Sequence, residues 1–203
     1  PDSSFLIGRF YSALFSTLTI IIVYKICRFF IETRFAFIAA FLVAITPGLI
    51  QQAHFATPES ALTFFLFGSL LFIIKFLKQN KILFLILACV FLGFAMGVKV
   101  SSIVFLLPLI AAIVIRSYSK KLSFKILLKF TKLMIISTII TAATLAIVAP
   151  YIFLDFPAFR GNLEYEGGLA IGKFPVFYTR QFIDTIPVLF QIEKILPYAL
   201  GPV

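Results

Sequence analysis

Long apolar runs, separated by short stretches that carry the charges, constrain the fold of this chain more than any other feature. A bilayer with a hydrocarbon core of about 30 Å is crossed by about 20 helical residues. Runs of that order recur through the 203 residues, and 62% of the chain is hydrophobic, against about 45–50% in a soluble domain. The sequence therefore predicts an all-α, polytopic transmembrane helical bundle. We place six spans and the start of a seventh at Phe5–Phe29, Phe35–Gln51, Ser60–Leu77, Ile82–Val98, Ser101–Ile115, Leu133–Phe153 and Thr185–Leu200.

Basic residues concentrate in alternate linkers between these runs. The formal net charge of +10 would suit a nucleic-acid partner, but 12 of the 18 lysines and arginines fall in linkers that one face of the membrane would hold. This is the distribution of the positive-inside rule, so we expect that face to be cytoplasmic and expect no nucleic acid as a partner. The twelve are Lys25, Arg28, Arg34, Lys75, Lys78, Lys81, Arg116, Lys120, Lys121, Lys125, Lys129 and Lys132.

The opposite side, predicted to be external, carries ionisable groups of both signs. Six of the eight acids are among them. Because these groups fall at the ends of runs rather than midway along them, we expect chemistry at the external face of the plasma membrane. A multi-span transporter or lipid flippase subunit is the main alternative, and a non-catalytic assembly subunit is a third. The external set is Asp2, Arg9, His54, Glu59, Lys99, Asp155, Arg160, Glu164, Glu166, Lys173, Arg180 and Asp184.

Two segments between spans allow further predictions. Residues 117–132 mix apolar side chains with five lysines, which suits either a solvated loop that sets topology or a short basic helix on the inner headgroups. The external segment 155–184 is rich in proline, glycine and aromatic residues. We expect it to be broken by its glycines and to lie along the outer leaflet.

A polar break, residues 51–60, separates the second and third runs and holds the single histidine of the chain, His54. Thr57, Pro58 and Glu59 are typical of a helix start, with Thr57 as N-cap and Glu59 in the first turn, where the helix dipole favours an anion. The alternative is that His54 and Glu59 act together, either to handle a proton or to bind a divalent metal ion. Spacing alone leaves both interpretations open.

Arg9 and Lys99 are cations on the side where the positive-inside rule expects few. They either extend to the headgroups or bind a lipid-linked phosphate. Lys99 follows Gly93 and Gly97, whose spacing permits close helix packing beside it. Asp155 and Arg160 follow the sixth run, where most charges are simply solvated, but they are candidate contacts to an acceptor. The two cysteines, Cys27 and Cys89, lie inside apolar runs and are predicted to be packing residues.

Several short motifs, taken in order, resemble the polytopic GT-C glycosyltransferases, and in particular the branch similar to dolichyl-phosphate-mannose protein mannosyltransferases and aminoarabinose transferases. The resemblance implies an enzyme that transfers a sugar, with inversion, from a polyprenyl-phosphate-linked donor to a protein, lipid or glycan acceptor at the external face. The motifs are Gly8-Arg9-Phe10-Tyr11-Ser12, Thr46-Pro47, His54 to Phe65, Gly93 to Lys99 with Ser101-Ser102, Pro150-Tyr151 and Asp155-Phe156-Pro157.

By motif position, the resemblance assigns residues to roles. Glu59 matches an acidic position in the second external loop, and His54 stands where many members have a histidine or another polar residue. Lys99 matches a basic position near the donor phosphate, and Arg9 matches the arginine at the start of the family's second helix, so both are candidates for binding the donor phosphate. The acidic residue that such enzymes use as base belongs to a first external loop ahead of the helix at Phe5. We therefore expect the chain to be a transmembrane fragment that lacks this loop, one preceding span and a C-terminal part.

Overall fold

The structure is a computed structural model that describes residues 3–118, 124–174, 176–177 and 179–201. These residues form helices and connecting turns, with no strand among them, which confirms the all-α class. The chain divides into a first unit, residues 1–148, and a second unit, residues 149–203.

The described residues of the first unit form seven α-helices and a 3₁₀ turn at Val100–Phe105: α1 (Ser3–Cys27), α2 (Thr33–Ala44), α3 (Pro47–His54), α4 (Glu59–Gln79), α5 (Ile82–Val98), α6 (Leu106–Ser117) and α7 (Phe124–Val148). Each of the first six predicted runs contains helix. Four stretches of the described residues are long and apolar enough to cross a membrane: α1, α4, the 3₁₀ turn together with α6, and α7, with a fifth if the bent pair α2 and α3 is one span. The expected six to seven spans are therefore not confirmed as a count, and α5, with 17 residues, is short for a span.

The second predicted run, Phe35–Gln51, is broken rather than continuous. Its two helices, α2 and α3, meet at an angle of 55°. Pro47 occupies the start of α3, and Thr46 before it is extended, with φ −64° and ψ 117°. A proline ring disfavours helical backbone in the preceding residue, and that steric clash explains the break.

Helix α5 lies at the centre of the first unit. Its Leu85, Ala88, Cys89 and Leu92 are fully buried and belong to one apolar cluster with residues of α4, α6 and α7. Cys89 is a free buried thiol, so the prediction that it is a packing residue is confirmed.

The basic linkers gather at one end of the first unit, called here the basic end. Lys78 Nζ donates a hydrogen bond to the carbonyl oxygen of Phe29 at 2.6 Å, and Lys129 Nζ donates to that of Arg116 at 3.0 Å. Lys75 lies over the Phe84 ring, 5.4 Å from its centroid. The Lys78–Phe29 contact joins two linkers that are 49 residues apart in sequence, as the alternation of apolar runs predicts, and the other two contacts each connect the helices on either side of one linker.

The sixth and seventh predicted spans have the wrong limits. Helix α7 begins at Phe124 and ends at Val148, so residues 124–132 are its first turns and form neither a solvated loop nor a separate interfacial helix. Lys120 and Lys121 lie outside the described residues. The stretch Thr185–Leu200 is divided into short pieces, with Pro197 in the first turn of the last one, and it does not qualify as a span.

The described residues of the second unit form short helices and one longer helix, α9 (Phe156–Ala170). The prediction that glycines break segment 155–184 is wrong for residues 156–170, which are helical through Gly161 and Gly167. The Asp155 side chain accepts a hydrogen bond from the backbone N–H of Ala158, which stabilises the start of the helix. The elements are α8 (Tyr151–Leu154), α9 (Phe156–Ala170), a 3₁₀ turn at Arg180–Phe182, α10 (Pro187–Phe190), a π turn at Gln191–Ile195 and α11 (Leu196–Leu200).

Candidate functional site

An ion pair between Lys99 and Glu59 marks the end of the first unit opposite the basic end. Helices α4 and α5 are joined by a tight turn in which Asn80 adopts a left-handed backbone, with φ 56°. The two helices therefore run antiparallel, and the start of α4 lies beside the end of α5. Glu59 is the first residue of α4 and Lys99 directly follows α5. We call this the Glu59 end.

The geometry of the pair leaves both groups open to a ligand. Lys99 Nζ lies 3.6 Å from Glu59 Oε1, and the two side chains are 53% and 38% exposed. A pair this exposed contributes at most about 1 kcal/mol to stability. Because an ammonium group has three N–H donors, Lys99 keeps donors for an anion while Glu59 holds it in place.

His54 and Glu59 line one cavity of about 230 Å³, together with residues of α1, α2, α3 and α4. The His54 Nδ1 atom lies 2.8 Å from the carbonyl oxygen of Ile50 and donates to it. This bond leaves Nε2 as the ring nitrogen that is available to a ligand. The structure therefore brings His54, Glu59 and Lys99 together at the Glu59 end.

A divalent metal ion fits this pair poorly. Among the described residues, no group of three His, Cys, Asp or Glu side chains could hold a metal ion. Catalytic zinc sites use three protein ligands, whereas His54 and Glu59 supply two. We derive no step through a metal.

Thr57 does not cap α4, so that part of the prediction is wrong. The N-cap is Pro58, with no side-chain hydrogen bond to the helix start. The Thr57 hydroxyl donates instead to Gln52 Oε1 at 2.7 Å, and the carbonyl oxygen of Thr57 accepts from the Ser12 hydroxyl at 3.3 Å. The linker between α3 and α4 is thus tied to both α3 and α1.

Arg9 lies at the Glu59 end but is not part of the Lys99–Glu59 ion pair. An added Cβ on the preceding Gly8 would lie 2.8 Å from the Cβ of Ala56, so the start of α1 packs directly against the linker before Glu59. The Arg9 guanidinium lies over the Phe5 ring, 4.4 Å from its centroid. In the part of the chain that the structure describes, it forms no ion pair.

Asp155 and Arg160 have local contacts in the second unit. Asp155 Oδ1 lies 3.2 Å from the Ala158 nitrogen at the start of α9. Arg160 Nε lies 2.8 Å from Glu164 Oε1, one turn further along the same helix. Asp2, the remaining external acid of the N-terminus, lies outside the described residues.

Several polar residues of the cavity were missed by sequence reasoning. Gln52, Ser60 and Thr63 line it beside Glu59, and Thr19 lines it from α1. The available signal was a set of hydroxyl residues inside the first and third apolar runs. Such a signal is weak, because serine and threonine hydroxyls are often satisfied by a carbonyl of their own helix.

A bundle of apolar, membrane-length helices with ionisable groups gathered at one end defines a polytopic membrane protein. The sequence profile of the dolichyl-phosphate-mannose-protein mannosyltransferase family matches residues 2–150. That range is 149 of the 203 residues, so the chain belongs to this family and is a membrane glycosyltransferase. Searches of curated proteins and of solved structures give no match. The match confirms the resemblance and favours an enzyme over a transporter.

Proposed function

We propose that this protein transfers a sugar from a polyprenyl-phosphate donor to an acceptor at the external face of the plasma membrane, with inversion at the anomeric carbon. The observation that carries the proposal is the Lys99–Glu59 pair, at 3.6 Å, at the end of the bundle remote from the basic linkers. Positive-inside topology makes the basic end cytoplasmic, which makes the Glu59 end external.

Lys99 binds the donor phosphate in this proposal. Its ammonium group is half-exposed at the end of α5, where an anion that enters from the membrane surface can reach it. Arg9, exposed near the start of α1, is a second phosphate contact. Fixed cations stabilise the negative charge that develops on the phosphate oxygen as the sugar leaves.

The chemical step is a single displacement. The acceptor hydroxyl loses its proton to a base, its oxygen attacks the anomeric carbon, and the bond from that carbon to the phosphate oxygen breaks with its electron pair on the phosphate. Glu59 and His54 can accept a proton, and both face the cavity beside Lys99. We assign them to the deprotonation or orientation of the acceptor.

The second unit provides contacts to the acceptor in this proposal. Segment 155–184 lies along the outer leaflet, and exposed aromatic side chains such as Phe156 and Tyr165 suit the headgroup level. Asp155 and Arg160 are proposed to contact the acceptor.

Replacement of Lys99 tests the proposal in the full-length protein. With a polyprenyl-phosphate sugar as donor, Lys99→Ala should lower transfer about 10- to 100-fold, the effect of losing one hydrogen bond to a charged group. Lys99→Arg should retain part of the activity. The matched control is Lys81→Ala, at the other end of α5, which should leave transfer unchanged. Equal activity of Lys99→Ala and the control, at equal membrane insertion, would refute the phosphate role.

A further inference from the structure

The stretch from the end of α6 through the first turns of α7 carries a positive charge that no nearby acid balances. Residues 116–132 contain six lysines and arginines, whereas residues 60–154 contain no aspartate or glutamate. Some cations of the other linkers at the basic end are engaged within the protein. Arg34 pairs with Glu32, and Lys78 donates to the carbonyl oxygen of Phe29. The six cations of the stretch are Arg116, Lys120, Lys121, Lys125, Lys129 and Lys132.

Three of these lysines share one face of α7, called here the α7 lysine face. Lys125, Lys129 and Lys132 follow one another at spacings of four and three residues, which places neighbouring Cβ atoms about 5–6 Å apart. All three residues are exposed. Lys129 Nζ donates to the carbonyl oxygen of Arg116 at 3.0 Å and keeps two further N–H donors. One phosphate group at this face can therefore contact more than one ammonium group.

Exposed apolar side chains adjoin the α7 lysine face in the same helical turns. Phe124, Leu127 and Leu128 are 72%, 55% and 53% exposed. A surface with cations beside apolar side chains fits an amphiphile that has an anionic head and hydrocarbon chains. A nucleic acid or an acidic peptide would pair with the lysines but would leave the apolar side chains in water. The combination therefore favours a lipid over a soluble polyanion.

The lengths of α6 and α7 place this face at the depth of lipid headgroups. The 3₁₀ turn and α6 together are about 30 Å long, which matches the hydrocarbon core. Leu133 of α7 belongs to the same buried apolar cluster as Ala112 and Ile113 of α6. From that level α6 continues about 6 Å to Ser117, whereas α7 reaches about 14 Å to Phe124. The extra length of about 8 Å is close to the headgroup layer, which is about 5–8 Å thick on each side.

We propose that the α7 lysine face binds the headgroup phosphate of an anionic phospholipid from the leaflet at the basic end. Lys125, Lys129 and Lys132 are the cationic partners of the phosphate, and the acyl chains lie against Leu127 and Leu128. The site lies at the end of the first unit opposite the Glu59 end. It is therefore separate from the proposed donor phosphate site and does not rest on the proposed function.

Titration of lipid into the full-length protein in a neutral detergent tests the proposal, with native mass spectrometry to measure the dissociation constant of the first bound lipid. The probes are dioleoyl phosphatidylglycerol, which is anionic, and dioleoyl phosphatidylcholine, which has the same chains and no net charge. Lys125→Gln/Lys132→Gln removes two cations of the face and keeps Lys129 with its hydrogen bond. The matched control, Lys25→Gln/Lys81→Gln, removes two exposed lysines from other linkers of the basic end.

We expect the wild type to bind phosphatidylglycerol at least 10-fold more tightly than phosphatidylcholine. One cation beside a lipid headgroup changes affinity about fivefold, so Lys125→Gln/Lys132→Gln should weaken phosphatidylglycerol binding about 25-fold and leave phosphatidylcholine within twofold. The control variant should stay within threefold of the wild type. Lys125→Arg/Lys132→Arg, which keeps both charges, should also stay within threefold. The single variant Lys125→Gln should weaken binding about fivefold, and it decides the question if the double variant fails to insert into the membrane.

The proposal is overturned if the wild type binds the two lipids equally. It is also overturned if the glutamine variant of α7 and the control variant lose the same affinity, because the attraction would then be a diffuse property of the basic end. Glycerol 3-phosphate and a short single-stranded DNA serve as competitors. Displacement of phosphatidylglycerol by either one at equal concentration would show a surface for soluble anions and would likewise overturn the lipid site.

Discussion

Gly93→Ala should open the contact between α5 and α7. A Cβ added at Gly93 would lie 2.6 Å from Thr144 Cβ and 2.9 Å from the carbonyl oxygen of Thr141. Carbon atoms in ordinary contact are about 3.5–4.0 Å apart, so the helices would have to separate by about 1 Å. The carbonyl oxygen belongs to the backbone of α7 and cannot rotate away. Overpacking of this kind costs about 1–3 kcal/mol.

The thiol of Cys89 offers a direct assay of that opening. Cys89 is fully buried and precedes Gly93 by about one turn of α5. In a Cys27→Ser background, a thiol reagent labels Cys89 only when the packing around α5 opens. A cost of about 1–3 kcal/mol raises the open population, and therefore the labelling rate, about 5- to 150-fold.

Gly161→Ala is the matched control, because a Cβ at Gly161 would meet nothing within 4 Å. Alanine is more favourable than glycine inside a helix by about 0.5–1 kcal/mol, so this variant should label no faster than the parent. The packing argument is refuted if Gly93→Ala labels Cys89 at the parental rate. It is also refuted if the two alanine variants accelerate labelling equally.

Two further predictions concern α4. Glu59→Gln keeps the volume of the side chain but removes its charge beside Lys99, so sugar transfer should fall at least 10-fold. The thermal unfolding midpoint should hardly move, because an exposed ion pair adds at most about 1 kcal/mol to stability. Thr57→Ala should lower the thermal unfolding midpoint more than it lowers sugar transfer. If the loss of transfer in both variants is proportional to their loss of stability, Glu59 has a structural role only. Ser69→Ala removes a buried hydrogen bond from the Ser69 hydroxyl to the carbonyl oxygen of Ala88 at 3.0 Å. Such a bond is worth about 0.6 kcal/mol in a membrane, so Cys89 should be labelled about three times faster. An unchanged labelling rate would contradict this prediction.

The helices of the first unit could be predicted because composition alone decides them. An apolar run of membrane length has few alternatives to a helix when its backbone groups must be satisfied within the bilayer. The break in the second run was missed although a signal was present. Pro47 follows Thr46 in the sequence, and a proline disfavours helix in the residue before it, but the apolar composition on both sides of Thr46 concealed that effect.

The site was less predictable than the helices. Counting the spans was enough to predict that Glu59 and Lys99 lie at the same end of the bundle. Their pairing at 3.6 Å depends on the rotation of α4 relative to α5, and no local sequence pattern determines that rotation. The cavity beside Glu59 depends on side chains from several helices and had no clear signature in the sequence. The prediction that glycines break segment 155–184 failed for a different reason. Gly161 and Gly167 lie within α9, and the Asp155 side chain stabilises the start of that helix.

The turn at Asn80 has a consequence for how the protein is made. Asn80 and Lys81 alone separate α4 from α5, too few residues for either helix to be threaded through the membrane independently, so we expect the two to enter as a hairpin. Glu59 and Lys99 would then cross the bilayer side by side. A single charge costs about 2.5–3.5 kcal/mol on translocation scales, and the passage of an acid with its counter-ion would lessen that barrier during biosynthesis.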